Sequence, residues 1–365
     1  MMEEERFLPC RFVHAIFHTM AVRMKDIAKD LGLSVVTVSK ALREHSDISE
    51  ETRQRVLSRV RELHYSPNFT ARALITGRSF MVGLIVPDLL HPFFAQVATA
   101  ISKTLRKKGY CLLIASSEED PALEVQQLEQ LLAHRLDAII IASSQSTPRC
   151  FREIEQGNTP YVLIDRIIPG LSANTVTVND ERIGTLATEH LISVGCKRVA
   201  HIRGLQTSTR LGRLNGYRRA LARHGLPALP QYVVCQEEGG TKNYYESGFE
   251  AAKRLLKMRP RPDGIFGYND ILATGAIDAI LDSGLKVPED IAVIGCGNLH
   301  YDSSLRVPLS SIDQATDLAG ETAANLAFAL IEAKTRPTPQ HIVLEPHLVI
   351  RASTQRQRAK RSAAR

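Results

Sequence analysis

Residues 24–42 read MKDIAKDLGLSVVTVSKAL, and their reading decides the first part of the fold. Ile27, Ala28 and Leu31 fall on one face of a short helix, at spacings of one and four. Gly32 supplies a turn residue that tolerates positive φ. Ser34 is a natural N-cap, because its hydroxyl oxygen can accept from an orphan amide one turn on. Val38 and Leu42, four apart, give a second helix an apolar stripe to lay against the first. Val35, Val36, Thr37, Ser39, Lys40 and Arg43 are left near the start or outer side of that second helix. Hydroxyls and cations placed there can meet phosphates, and a long cation can reach a base edge. Cap, turn and outward chemistry together predict a helix-turn-helix with a recognition helix, not a helical hairpin buried in a core.

Working outward, Ser49 opens a third helix with Glu50 and Glu51 in its first turn, where carboxylates favour the positive end of the dipole. Val56, Val60 and Leu63 form its expected buried stripe. Pro67 and Asn68 break and restart the chain. Residues 68–76 can form about two turns of helix, closed by Gly77, and so short a helix is marginal in water. From residue 80 the texture changes. Nearly continuous apolar runs at 81–87, 111–116, 138–143, 161–165, 199–204, 264–269 and 291–295 alternate with amphipathic stretches. Gly109, Gly195, Gly225 and Gly284 stand at expected C′ positions after those stretches. Runs of this kind predict strands buried on both faces, hence parallel sheets with helices on each side.

Charge is unevenly placed. Residues 23–79 carry eleven Lys/Arg and seven Asp/Glu, residues 351–365 carry six Lys/Arg and no acid, and the long middle is near neutral. A basic front before a neutral body suits a nucleic-acid reader whose larger part has another task. The six cysteines are scattered without a Cys-x-x-Cys pair, which fits a reducing cytoplasm better than a disulfide framework or a zinc cluster. No apolar run reaches the length of a membrane span, so no membrane partner is expected. His14 and His18, four apart, lack a third ligand, and neither a metal nor a cofactor is expected. Residues 1–22 contain no clean secretory core or cleavage site, and translation is expected to begin at Met20.

Several motifs occur in order: Lys25-Asp26-Ile27-Ala28, Gly32-Leu33-Ser34, Thr37-Val38-Ser39-Lys40, Ser49-Glu50-Glu51-Thr52-Arg53 and Tyr65-Ser66-Pro67-Asn68. Further on come Val82-Gly83-Leu84-Ile85-Val86-Pro87-Asp88, Pro92-Phe93-Phe94-Ala95, Asn269-Asp270, Val293-Ile294-Gly295 and Ile312-Asp313-Gln314. Over about residues 23–354 the chain resembles the LacI/GalR family of bacterial transcription regulators. The resemblance implies an all-α helix-turn-helix headpiece followed by a two-lobed, periplasmic-binding-protein-like α/β body with parallel sheets. The expected segments are a disordered or mis-called extension (1–22), the headpiece (23–66), a hinge helix and linker (67–79), the two-lobed body (80–352) and a disordered basic tail (353–365). The chain should cross between lobes three times, near residues 179–180, near Ser310 and near 337–340.

The resemblance also implies roles for particular residues. Val35, Val36 and Lys40 would contact bases; Ser34, Thr37 and Ser39 would contact phosphates. Lys25, Arg43, Asn68 and Ala71 complete the DNA set, and Leu74 would wedge between base steps in the minor groove. Lysine can donate to guanine O6 and N7 but lacks the bidentate fork of arginine, which many family members carry at the Lys40 position. Asp88, Phe93, Phe94, Asp165, Arg213, Asn269 and Asn298 are expected to line an effector cleft at the carboxyl ends of the strands. For Phe93 and Phe94 core packing is the competing expectation, and for Asp270 a helix N-cap before Ile271. The turn Gly295-Cys296-Gly297-Asn298 departs from the family's usual Gly-x-Asp-Asp/Asn: glycine stands where an effector-accepting Asp is usual. Either Asn298 substitutes, or the ligand differs from a standard neutral sugar.

The expected protein is a homodimeric regulator, a repressor, binding a pseudo-palindromic double-stranded operator. A small molecule, a carbohydrate or its derivative, would change its affinity. The alternative is a solute-binding protein of a sugar transporter, which would need an export signal and no basic headpiece. No Gly-x-Ser-x-Gly, P-loop or zinc motif indicates an enzyme.

Overall fold

A computed structural model describes residues 22–42, 45–65, 73, 76–205, 207–235 and 243–356. The chain divides into two compact units, residues 1–77 and 78–365.

In the first unit, three helices surround a small core: α1 (Met24–Leu31), α2 (Val35–Leu42) and α3 (Glu50–Glu62). Gly32 takes the left-handed conformation (φ 65°) that ends α1. Ser34 caps α2, its Oγ accepting from the Thr37 N–H at 3.0 Å. Ser49 caps α3 in the same way through the Thr52 N–H, 3.3 Å. Ile27, Ala28, Val38, Ala41 and Val56 are buried, with Leu31, Leu42, Val60 and Leu63 packed around them. Arg59 ties α3 to α1 through Asp30 at 2.6 Å. The helix expected over 68–76 falls mostly outside the described residues.

The second unit begins earlier than expected. The Ser79 and Phe80 amides both donate to the Asp137 carboxylate, at 2.8 and 3.0 Å, so the linker does not extend to residue 79. The unit contains two six-stranded sheets. The first lobe is built from β1 (Met81–Val86), β2 (Cys111–Ser116), β3 (Ala138–Ile141), β4 (Tyr161–Ile164), β5 (Asn174–Val178) and β11 (His341–Leu344), in the order β11-β5-β4-β3-β1-β2. All its pairings are parallel. Its helices are α4 (Pro92–Arg106), α5 (Pro121–Ala133), α6 (Phe151–Gln156) and α11 (Thr316–Glu332). The second lobe holds β6 (Val199–Arg203), β7 (Val233–Cys235), β8 (Gly264–Gly267), β9 (Ala292–Cys296), β10 (Ser310–Asp313) and β12 (His347–Val349), in the order β12-β10-β9-β8-β6-β7. Its helices are α7 (Asp180–Ser193), α8 (Ser208–Arg223), α9 (Tyr244–Leu256) and α10 (Asp270–Asp282). Only β12 departs from parallel pairing, running antiparallel to β10.

The chain passes between lobes after β5, at residue 179. It returns between β10 and α11, at residues 314–315, and crosses again between β11 and β12, at 345–346. The second crossing therefore falls a few residues past the expected Ser310, which itself starts a strand paired with β9. The third falls a few residues past 337–340, because His341 first pairs with Thr175 of the first lobe. β2 also departs from expectation. It is an edge strand with Cys111 exposed and Leu113 and Ile114 36% and 42% exposed, although its apolar run predicted burial on both faces. The tail starts later than residue 353. Ser353 and Thr354 are fully buried in a 3-10 turn, Ser353 Oγ donating to the Val293 carbonyl at 2.6 Å. Among the described residues no helix is long and apolar enough to cross a membrane.

Candidate functional site

On the headpiece, Val35 and Val36 are 45% and 63% exposed at the start of α2, a costly use of valine unless something covers them. Lys25 and Ser34 are exposed; Thr37, Ser39 and Lys40 are half-buried on the same unit. The Ser34 and Thr37 hydroxyls lie 2.8 Å apart. Lys40 Nζ donates to the Asp47 carboxylate, and that hydrogen bond holds the Asp47 carboxyl below its ordinary range. Sequence reasoning missed Asp47, since it lies in the turn after α2 and no helical spacing links it to Lys40. Arg43, Asn68, Ala71 and Leu74 lie outside the described residues.

The cleft of the second unit lies where strands of both lobes end. Past β1, the Asp88 carboxylate accepts from the Leu90 N–H at 2.8 Å. His91 follows, just before α4, and reaches Asn269 of the other lobe: Nδ2 of Asn269 lies 3.1 Å from His91 Nε2. Oδ1 of Asn269 is spent on the Leu272 N–H, 2.9 Å, which leaves its amide nitrogen facing the imidazole, whose Nδ1 lies 3.3 Å from the Phe93 N–H. Burial keeps this ring neutral, lowering its pKa to about 4. The His91 ring also meets Tyr244 edge-on, centroids 5.3 Å apart, and Phe94 at 5.7 Å. Phe94 and Phe93 are themselves buried in the first lobe's core. A second bridge between lobes runs from the Ile167 N–H to Ser208 Oγ, 3.1 Å.

Two buried arginines flank these bridges. Arg166, following Asp165 at the end of β4, makes a bidentate pair with Glu119, 2.7 and 2.8 Å. Asp165 sits at φ 67°, a conformation strained for a non-glycine residue, and burial raises its carboxyl, opposed by Arg166 and Arg213. Arg213 of α8 donates to Asp180 (2.9 Å), the Tyr268 carbonyl (2.6 Å) and Gln314 Oε1 (2.7 Å), with its guanidinium 4.3 Å over the Tyr268 ring. What holds α8 close enough is glycine. A Cβ on Gly216 would fall 2.0 Å from the Glu181 carbonyl of α7.

Asp270 is not the N-cap of α10; Asn269 is. The Asp270 carboxylate is buried, accepting from the Ser311 hydroxyl at 2.7 Å and the Leu299 N–H at 3.3 Å. Gly295 and Gly297 leave room for it, since a Cβ on either would lie 2.1 or 2.8 Å from its oxygens. Asn298 is turned elsewhere. Its Nδ2 donates to Asp313 at 2.9 Å and its Oδ1 accepts from Arg351 at 2.6 Å. The structure thus brings His91, Glu119, Arg166, Tyr244 and Tyr268 to the cleft beside the expected residues. Arg166 and Tyr268 stood legibly at the ends of apolar runs; the positive φ that turns Glu119 inward did not.

Residues 23–68 match the family model for bacterial regulatory proteins of the lacI family, and residues 188–354 match that for a periplasmic binding protein-like domain. The HTH-type transcriptional regulator DegA of Bacillus subtilis (strain 168) is 34% identical over 339 residues, covering 92% of this chain and 98% of its own. The chain belongs to the LacI family. As such it is a DNA-binding transcription regulator of the repressor type, with a helical headpiece and a two-lobed α/β body. Two solved structures agree. The lac repressor dimer bound to operator and the anti-inducer ONPF gives a TM-score of 0.78 at 26% identity, covering 91% of this chain and 99% of that one. The transcriptional regulator CelR in complex with cellobiose gives 0.68 at 28%, with the same coverage.

Proposed function

We propose that this regulator binds a pseudo-palindromic operator as a homodimer, and that a small carbohydrate or carbohydrate derivative in the interlobe cleft sets its affinity for DNA. The observation that carries the ligand class is the pairing of two buried arginines at the interlobe bridges. Arg166 is paired with Glu119 and Arg213 with Asp180, and hydroxyls can both donate to and accept from such paired groups. A third buried arginine, Arg210, has no carboxylate partner among the described residues, so an acidic substituent on the carbohydrate fits the same cleft. Asn298 has its amide committed, so an acceptor lost at Gly297 is replaced by Asp165, Asp180 or Glu119. That favours a compound whose hydroxyl pattern differs from a plain sugar's. The lac repressor–ONPF and CelR–cellobiose complexes support a glycoside-sized occupant.

The mechanism is closure of the lobes around ligand, through contacts of the His91–Asn269 and Ile167–Ser208 kind, which shifts the first lobe's dimer contacts and so the spacing of two headpieces. Ligand and operator are then coupled reciprocally through one two-state element. In this mechanism Val35, Val36 and Lys40 read bases, Ser34, Thr37, Ser39, Lys25 and Arg43 hold phosphates, and Asn68, Ala71 and Leu74 serve the linker's contact with the minor groove. The test is to identify by mass spectrometry what co-purifies with the protein, and to titrate operator with and without it. A tenfold or larger change in operator affinity is expected; a ligand that fills the cleft and leaves operator affinity unchanged overturns the mechanism.

A further inference from the structure

Lys40 is not a free cation on the recognition helix. Its ammonium is held by Asp47, and the turn carrying Asp47 is fastened to the end of that helix: the His45 N–H donates to the Lys40 carbonyl at 3.1 Å, the Ile48 N–H to the His45 carbonyl at 3.2 Å, and Arg53 Nη2 to the same carbonyl at 3.2 Å. The pair stands in water, its side chains 38% and 53% exposed, and an ion pair so exposed contributes little to folding. A carboxylate on a surface that meets phosphates is a liability unless it has an acceptor's work to do. In the major groove a G·C pair presents guanine N7 and O6 as acceptors beside the cytosine N4 amino donor. An ammonium held against a carboxylate offers the matching order of donor and acceptor.

We infer that Lys40 and Asp47 act as one unit that reads a G·C base pair, Lys40 donating to guanine and Asp47 accepting from the cytosine N4 amino group. Asp47 is thereby a specificity-determining residue outside the recognition helix. The inference rests on the headpiece being the sequence reader proposed above. Because the unit carries no net charge, it adds sequence preference and little salt-dependent affinity. With two headpieces, the pair recurs at symmetric positions of the operator.

The test uses the full-length protein and duplexes selected from a randomised pool, sequenced for the parent, Lys40→Ala, Asp47→Ala and the double variant. The parent should prefer G·C at one symmetric position by roughly 5- to 150-fold. Both single variants should lose that preference at that same position, and the double variant should be no less selective than the worse single one. Far-UV circular dichroism checks that the helices persist. Asp47→Asn, which keeps the shape, should shift the position away from G·C, since an amide suits adenine. The inference is overturned if Asp47→Ala keeps the parent's preference, or if Asp47→Ala strengthens binding to all sequences alike with a steeper salt dependence, the mark of a lysine released to a phosphate. A parent that selects no sequence at all would instead refute the reading on which the inference rests.

Discussion

Asp302 is fully buried. Its carboxyl lies against that of Asp270, and burial together with that neighbour raises it, with Arg351 opposing. Two carboxylates in such contact cannot both ionise, so the pair keeps a proton. The groups facing them are the Ser311 hydroxyl, the Leu299 amide, Tyr301, Cys296 and Arg351. A carboxyl raised on folding binds more protons folded than unfolded, so its share of stability is fully present at low pH and is lost as pH rises. The Asp302 carboxyl is raised to about 8, so the urea midpoint of the body is expected to fall between about pH 4 and about pH 8, and Asp302→Asn, which donates without titrating, should flatten that fall. An unchanged slope in the variant would remove the shared proton. None of this could be read in the sequence. Asp270 looked like a cap, and thirty-odd residues separate it from Asp302; what exposed the pair was two glycines, Gly295 and Gly297, whose missing side chains make its cavity.

At the scale of elements, the headpiece depends on very few side chains. Ile27 fills the centre of a core with four other buried residues, and Ile27→Ala should cost about 2–5 kcal/mol, enough to unfold so small a unit. Thermal melting followed by circular dichroism should show the headpiece transition vanish while the body's remains. In the body, Gly216→Ala would force α7 and α8 apart, at about 1–3 kcal/mol of overpacking. Since Arg213 rides on α8, ligand affinity should fall together with the melting temperature, and a variant that lowers only the latter would argue against Arg213 as part of the ligand site. Elements were the most legible level. Caps at Ser34 and Ser49 and seven apolar strands followed from local pattern alone. The strands left unread were short or carried polar residues, such as Asn174–Val178 and Ser310–Asp313, so no continuous apolar run marked them, although each pairs with the strand just before it in the chain.

For the whole molecule, the sequence indicated two lobes but placed the later two crossings a few residues early; the strand after Gln340 joins the first sheet through a partner more than a hundred residues away, His341 with Thr175, which no local pattern marks. Strand β2 lies at the edge of the first sheet rather than inside it. An open edge with exposed Leu113 and Ile114 invites pairing with another surface. If a second copy covers it, Leu113→Asp with Ile114→Asp should give a monomer by sedimentation and weaken operator binding at least tenfold, because both half-sites can no longer be held at once. A variant that stays dimeric would move the interface elsewhere.

The order in which the lobes are completed bears on how the protein is made. The first sheet waits for β11, and the second for β12 and the buried turn at Ser353 and Thr354, so neither can close on the ribosome until residues 341–354 have emerged. The headpiece, finished within the first third of synthesis and holding its own core, has no such wait. A frameshift or premature stop between residues 313 and 347 would therefore release a folded anchor attached to an unfinished sensor, a product for proteases to clear before it occupies promoters that nothing could then instruct it to leave.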